Sequence, residues 1–334
     1  MLPIARAHIL KISSVLTMAI LITGGTGFLG WYLAKALSKK GEDVIAFDVA
    51  SLKKHQRISN FDNIKVIKGD LASLPEIINI ISRYDVEHIF HNGALLSETA
   101  EKRHVAAFRV NVEGTFNLLE SARIFDIKKF IFTSTLATYG RDFEDIILYE
   151  TPQRPESMYG VSKVFGERLG EYYSSRFKMD FRAVRFPSVI GAGRGGGGLS
   201  AYTSLIIQEP ALGRAYEVFV SKDARTPFIY VKDAVRCLML LFYSDKNKIR
   251  SKTYIISGMS PRADEIVEMI KKYIPDAKIE FVPDPNKDKI VHTWPSKLDE
   301  IKAKNEWGWQ AEYGLKDTIQ DFIKEVQAHK ELYE

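Results

Sequence analysis

Cysteine is nearly absent from this chain. Cys237 is the single one in 334 residues, which excludes an internal disulfide and any cysteine-rich metal site. Its surroundings, VRCLMLLFY, read as a buried apolar helix, so an inert core thiol is expected. Charge of one sign is lacking too. The net charge is only +5, acids and bases mix along the chain, and the longest basic runs are pairs such as Lys53-Lys54 and Lys271-Lys272. No basic stripe with interleaved aromatics marks a nucleic-acid surface. The first 17 residues carry Arg6, His8 and Lys11 and no acid, but their apolar stretch is too short and interrupted to span a membrane. Three readings of this extension stand: a misassigned start with Met18 as the true one, which is preferred, a targeting presequence, or a tag or ordered extension. No repeat or low-complexity linker occurs beyond the glycines at 195–198. What remains is a cytoplasmic globular composition with enough length for one large domain or two smaller ones.

From Met18 the chain runs MAILITGGTGFLGWYLAKALSKKGEDVIAFDVAS. Ala19 to Thr23 is a short apolar run, expected as a fully buried strand. A glycine-rich turn follows, then helical spacing from Trp31 to Lys40 ended by Gly41, then a second buried strand over Val44 to Phe47 ending at Asp48. This is a βαβ unit. The glycines fit two registers, Gly25-x-Gly27-x-x-Gly30 and Gly24-x-x-Gly27-x-x-Gly30. A Cβ there would block the tight turn and hold the backbone away from a pyrophosphate. The following helix offers unpaired N–H groups and a positive dipole end to that anion. Asp48 can accept hydrogen bonds from both adenosine ribose hydroxyls and would repel a 2′-phosphate, which argues for NAD over NADP. Lys53 and Lys54 weaken that preference slightly.

The alternation continues. A third strand ends at Gly69-Asp70-Leu71, and a fourth ends in Gly93-Ala94-Leu95. An amphipathic helix spans VNVEGTFNLLESARIFDIK, and a fifth strand ends in Ser134-Thr135. Such alternation predicts an α/β fold with a doubly wound, Rossmann-type parallel sheet, with ligands beyond the carboxyl ends of its strands. Tyr159 and Lys163 lie four apart on the next helix, so they share a face. Spacing alone is uninformative, since about one such pair arises by chance in a chain of this composition if helical neighbourhood is all that is asked. Position is informative: the pair follows the hydroxyl-ended strand, where a nicotinamide ring would lie.

Gly24-x-x-Gly27-x-x-Gly30, Thr135 and Tyr159-x-x-x-Lys163 together resemble the extended short-chain dehydrogenase/reductases of the epimerase/dehydratase group, from Met18 to about residue 325. The resemblance implies a proton-abstracting phenol at Tyr159, an ammonium at Lys163 that lowers the phenol's pKa and holds the nicotinamide ribose, and a hydroxyl donor at Thr135. It also implies NAD contacts from Gly24, Gly27, Phe28, Leu29, Asp48, Asp70, Leu71, Gly93, Ala94, Leu95, Asn111 and Pro187, together with Tyr159 and Lys163, and no metal.

Departures narrow the group. Its 4,6-dehydratases carry an Asp-Glu pair directly after the catalytic Thr, where this chain has Leu136 and Ala137, so elimination lacks its acid and base. Many of its nucleotide-sugar epimerases bind the diphosphate with an Asn where Ser188 stands here. The tail is instead similar to the L-threonine 3-dehydrogenases, through TYIISGMS, DKI, TWPSKLD and EWGW. That similarity implies a small-molecule substrate pocket with Ser97, Thr135, Ser200 and Trp294, while Trp307 and Trp309 are expected in the core. The loop after RFPS departs from their pattern: Leu199 and Ala201 replace a Thr and an acid, and SLIIQEPALG resembles dehydrogenases of small hydroxy acids. The leading expectation is an NAD-dependent dehydrogenase of a small hydroxy amino acid, L-threonine first. A nucleotide-sugar 4-epimerase and a non-catalytic NAD sensor are the alternatives. Residues 18–185 and 229–258 are expected to form the NAD-binding domain, and 186–228 with 259–334 a smaller substrate-binding part. The resemblance further implies a homodimer through the catalytic-face helices, to which Tyr172 and Tyr173 could contribute.

Overall fold

The computed structural model describes residues 19–52, 61–141 and 146–333. The N-terminal extension, Met18, Lys53 and Lys54 lie outside the described residues. The strands are β1 (Ala19–Thr23), β2 (Asp43–Asp48), β3 (Ile64–Lys68), β4 (Val86–His91), β5 (Lys129–Thr135), β6 (Ile146–Ile147), β7 (Phe181–Phe186), β8 (Ser188–Ile190), β9 (Tyr216–Val218), β10 (Phe228–Tyr230), β11 (Thr253–Ile255), β12 (Ile279–Phe281) and β13 (Lys297–Leu298). Seven of them form one sheet in the order β3-β2-β1-β4-β5-β7-β11, and every pairing in it is parallel. The order reverses between β1 and β4, which opens a crevice at their carboxyl ends.

Side-chain alternation explains why helices cover both faces. Ile20 and Ile22 of β1 point into one cluster, with Trp31 and Leu37 of the helix Phe28–Ser38 and Leu238 and Leu241 of the helix Val231–Tyr243. Ala19 and Leu21 point into the opposite cluster, with Ile77, Leu118 and Phe132. A strand buried on both faces is largely apolar, as AILIT is; its one polar residue, Thr23, is hydrogen-bonded to His91 Nδ1 at 2.7 Å. Cys237 sits fully buried in the first cluster, where burial pushes its thiol well up.

Two expected helices change at their ends. The first starts at Phe28, three residues before the expected Trp31, because Gly27 already stands as an extended N-cap. It ends at Ser38, and Gly41 follows in the left-handed region. The helix expected over 110–128 is a π-turn at Phe108–Glu113 continued as an α-helix over Gly114–Ile124.

A further cluster forms where Ile190, Tyr202, Ile206, Phe228, Ile266 and Phe322 meet. Three parallel strand pairs, β8 with β10, β9 with β12 and β6 with β13, tie this region to the cleft. The segment Ile301–Trp309, assigned above to the substrate-binding part, packs with the sheet instead: Trp307 lies 5.5 Å from the Tyr254 ring of β11, and Trp309 is buried beside it. Among the described residues, no helix is long and apolar enough to cross a membrane, and no cluster of His, Cys, Asp and Glu could hold a metal.

Candidate active site

A cleft of about 810 Å³ opens above the carboxyl ends of β1, β2, β4 and β5. At one end stands the glycine turn. Gly24 has φ +64°, and a Cβ on it would lie 2.8 Å from the Gly93 backbone. A Cβ on Gly30 would lie 2.1 Å from the Gly24 carbonyl. The turn, the tail of β4 and the helix are therefore packed backbone to backbone, which only glycine permits. Gly27 N–H donates to Gly24 O at 2.9 Å, and the helix beyond begins at Phe28 with no side-chain cap and no acid in its first turn. Its first N–H groups face the cleft without a protein anion, a cradle suited to a pyrophosphate. Asp48 ends β2; its carboxylate accepts from Thr26 N and Ala50 N, both at 3.2 Å, and keeps lone pairs for further donors. The fit to a dinucleotide rests on this uncapped helix, this close-packed turn and this fixed acid.

Phe28, Leu29, Asp70, Leu71, Gly93, Ala94, Leu95 and Pro187 line the same cleft. Asn111 does not. It is buried behind the wall; its Oδ1 accepts from Leu95 N at 2.8 Å, and its Nδ2 donates to Leu95 O at 2.9 Å and to Ser162 Oγ at 3.1 Å. Expected as a cofactor contact, it instead brackets the peptide of a residue that lines the cleft.

At the other end the helix Met158–Phe177 starts from Ser157, whose Oγ accepts from Gly160 N at 3.0 Å. A Cβ on Gly160 would lie 2.2 Å from Ala137 O, so this helix rests directly on the residues after β5. Tyr159 thereby reaches Thr135, with which it is hydrogen-bonded. Thr135 Oγ1 accepts from Ala137 N at 3.2 Å, which fixes the oxygen and leaves its proton to donate. Lys163 is buried one turn on. Its Nζ donates to Thr133 O at 2.7 Å and lies 5.8 Å from the centre of the Tyr159 ring.

The expectation that this ammonium lowers the phenol's pKa is not met in this structure. Burial pushes Tyr159 up to about 12, against a smaller lowering from the Thr135 bond. Burial also brings Lys163 down to about 7, against support from Glu167. Both groups lose water in the same pocket, and desolvation is the largest influence on each.

Sequence reasoning missed the buried network beneath. Glu167, one turn after Lys163, accepts from Ser134 Oγ at 2.5 Å, from Arg185 Nε at 2.9 Å and Nη2 at 2.6 Å, and from Gln153 Nε2 at 2.8 Å. Arg185 also donates to Tyr139 Oη at 2.6 Å. The signal was present: an Arg inside FRAVRF, every residue of which is buried, needs a buried acid.

Ser97, Ser200 and Trp294 line the cleft together with Tyr159 and Thr135. Gly198 N donates to Glu98 Oε2 at 3.2 Å, which joins the glycine loop to the helix Ser97–Lys102. Ser188 and Asn92 also line the cleft, and the Ser188 Oγ and Asn92 Nδ2 are buried without a hydrogen-bond partner.

Residues 20–257 match the model of the NAD dependent epimerase/dehydratase family. The chain is 31% identical over 323 residues to the mitochondrial L-threonine 3-dehydrogenase of Bos taurus, covering 94% of this chain and 84% of that one. It is 32% identical over 315 residues to an uncharacterized epimerase/dehydratase of Staphylococcus aureus, covering 92% and 96%. The X-ray structure of L-threonine dehydrogenase from Clostridium difficile superposes with a TM-score of 0.86 at 32% identity, covering 95% of this chain and 99% of that one.

Proposed function

From the chain's membership of the NAD-dependent epimerase/dehydratase family, we propose that it is an NAD-dependent dehydrogenase that oxidises the secondary alcohol of a small hydroxy amino acid, L-threonine first. One observation carries the reading. Thr135, Tyr159 and Lys163 share a cleft with Ser97, Ser200 and Trp294, while the two residues after Thr135, where a dehydratase would need its acids, are Leu136 and Ala137.

The residues divide the work by position. Thr135 directs its hydroxyl proton at the substrate oxygen. Tyr159 accepts the proton of the reacting hydroxyl, a role for which its phenol must first ionise. Lys163 favours that phenolate whenever its own ammonium is charged, and the Thr133 carbonyl keeps it in place. Proton transfer by a positioned group contributes ~10²–10⁴ in rate. NAD supplies the hydride acceptor. Gly24, Gly27, Phe28 and Leu29 would hold its pyrophosphate, and Asp48 its adenosine ribose, which favours NAD over NADP.

The test is NADH formation, followed by absorbance, with L-threonine and a panel of small β- and α-hydroxy acids. Turnover with L-threonine or a close relative is expected. Tyr159→Phe should lose it by at least the ~10²-fold attributable to proton transfer while binding NAD as wild type does. No NADH from the whole panel, with interconversion of UDP-glucose and UDP-galactose, would replace this reading by an epimerase.

A further inference from the structure

Arg194 was not singled out by the sequence, and neither the fold nor the proton relay requires it. It lies just before the glycines at 195–198 and lines the cleft. Its guanidinium is held from one side only: Nη1 donates to Ser200 O at 2.8 Å and Nη2 to Ser200 Oγ at 3.0 Å. No carboxylate among the described residues pairs with it. The acids of the cleft are engaged elsewhere. Glu156 pairs with Arg141 at 3.1 Å, Asp48 with two backbone N–H groups, and Asp70 Oδ1 with Ala72 N at 2.9 Å; Glu98, beside the glycine loop, pairs with Lys102 at 2.6 Å.

This arrangement is costly unless something else enters. Burial lowers the Arg194 pKa to about 10, with no neighbouring charge opposing it, so the group is still a cation at neutral pH. Arg194 is partly buried with no acid beside it, a charge withdrawn from water gains from a partner, and a planar guanidinium with N–H groups to spare is shaped for the two oxygens of a carboxylate. Ser200 fixes that plane from behind. The loop carrying it has Gly195, Gly197 and Gly198 at positive φ, with open space where side chains would project, so no bulk separates Arg194 from a ligand. Lys163, the other cation of the inner cleft, donates to Thr133 O and belongs to the proton relay.

We propose that Arg194 is the carboxylate-binding residue of the substrate site, so that the substrate is a small hydroxy acid, amino-substituted or not, gripped by its carboxylate while its hydroxyl faces Tyr159 and Thr135. This inference rests on the dehydrogenase reading and sharpens it: the acid group, more than the amine, selects the substrate. It also assigns Ser200 a supporting role, holding Arg194 rather than acting alone on the ligand.

The experiment uses the full chain saturated with NAD. Arg194→Met and Arg194→Lys are compared with wild type for NAD affinity, for binding of L-threonine and of a panel of small hydroxy acids and their neutral amides by calorimetry, and for turnover. Arg194→Met should weaken acid binding about 10- to 100-fold, the span of a charge-assisted hydrogen bond, with KM rising in step and the amides little affected. NAD affinity should stay unchanged, and Arg194→Lys should recover part of the loss. Equal losses for acids and amides would make the role structural and overturn the proposal. Weakened NAD with unchanged acid binding would place Arg194 on the cofactor's pyrophosphate and overturn it as well. Acids that bind through Arg194 without being oxidised would uphold the proposal while ending the dehydrogenase reading. Oxidation with a KM that ignores Arg194 would do the reverse.

Discussion

Lys163 is 3% exposed and lies 4.5 Å from the centre of the Phe132 ring. Holding an ammonium there opposes folding, and the sign of the effect can be worked out. Its folded pKa is about 7, below the ordinary lysine value of 10.5. Below pH 7 both the folded and the unfolded chain carry the proton, so the full burial cost is present. Between pH 7 and about 10.5 the unfolded chain binds more protons than the folded one, and stability rises with pH. Lys163→Met removes the charge and retains most of the packing. The variant should therefore melt above wild type at pH 6, with the gap narrowing as pH rises through 8 and 9, while turnover is lost. Melting curves across that range check it. A gap that stays constant with pH would mean the ammonium is not the source of the cost. Tyr159 and Lys163 were legible in the sequence as a pair; that burial pushes both toward their neutral forms was not, because desolvation depends on what packs around a group.

Three residues of the tail Gly93–Leu95 line the cleft at the switch point of the sheet, and a π-turn braces it. The wider π-turn at Phe108–Glu113 places Asn111 opposite Leu95, where it satisfies both the N–H and the C=O of that residue. Such turns inside helices recur at functional sites. Asn111→Ala would leave two backbone groups of Leu95 without their partner, at a cost of about 1–3 kcal/mol. A lower melting temperature and weaker NAD binding are expected together. Calorimetry on the variant decides it: a destabilised protein with wild-type NAD affinity would show that the bracket serves the fold alone. The central strands β1 and β2 could be read from the sequence because mainly apolar, buried residues run through them, and β1 was read to its residue. The π-turn could not, since its single extra residue disturbs the 3.6-residue period too little to show in the pattern VNVEGTFNLLE. Arg194 was equally hidden. An arginine in a glycine loop reads as solvent-exposed until the fold turns it into the cleft.

An apolar surface runs over two adjoining helical segments. Val105 (77% exposed), Phe108, Phe116 and Ile124 come from the stretch 104–124, and Val161, Phe165 and Tyr172 from the helix Met158–Phe177. Scattered exposed hydrophobics need no explanation, but a contiguous patch marks an interface. Val161 and Phe165 alternate with the cleft-facing Tyr159 and Lys163 along one helix, so a cover on the patch would also steady the proposed proton relay. A second copy about a two-fold axis is the simplest cover, pairing the same two segments from each chain. Each large side chain buried in this way contributes on the order of 1 kcal/mol, and several together can offset the lost freedom of association. Of the two neighbouring tyrosines on this helix, only Tyr172 is available; Tyr173 turns inward and donates to Glu120 at 2.7 Å. The expected state in solution is therefore a dimer. Phe165→Glu and Val161→Glu would each place a charge in the patch and should shift the protein to monomer, with turnover falling as the helix that carries Tyr159 and Lys163 loses its support. Light scattering on wild type and variants, paired with rates at the same concentrations, measures both. A wild-type protein that is monomeric at assay concentrations and fully active would leave the patch without this role.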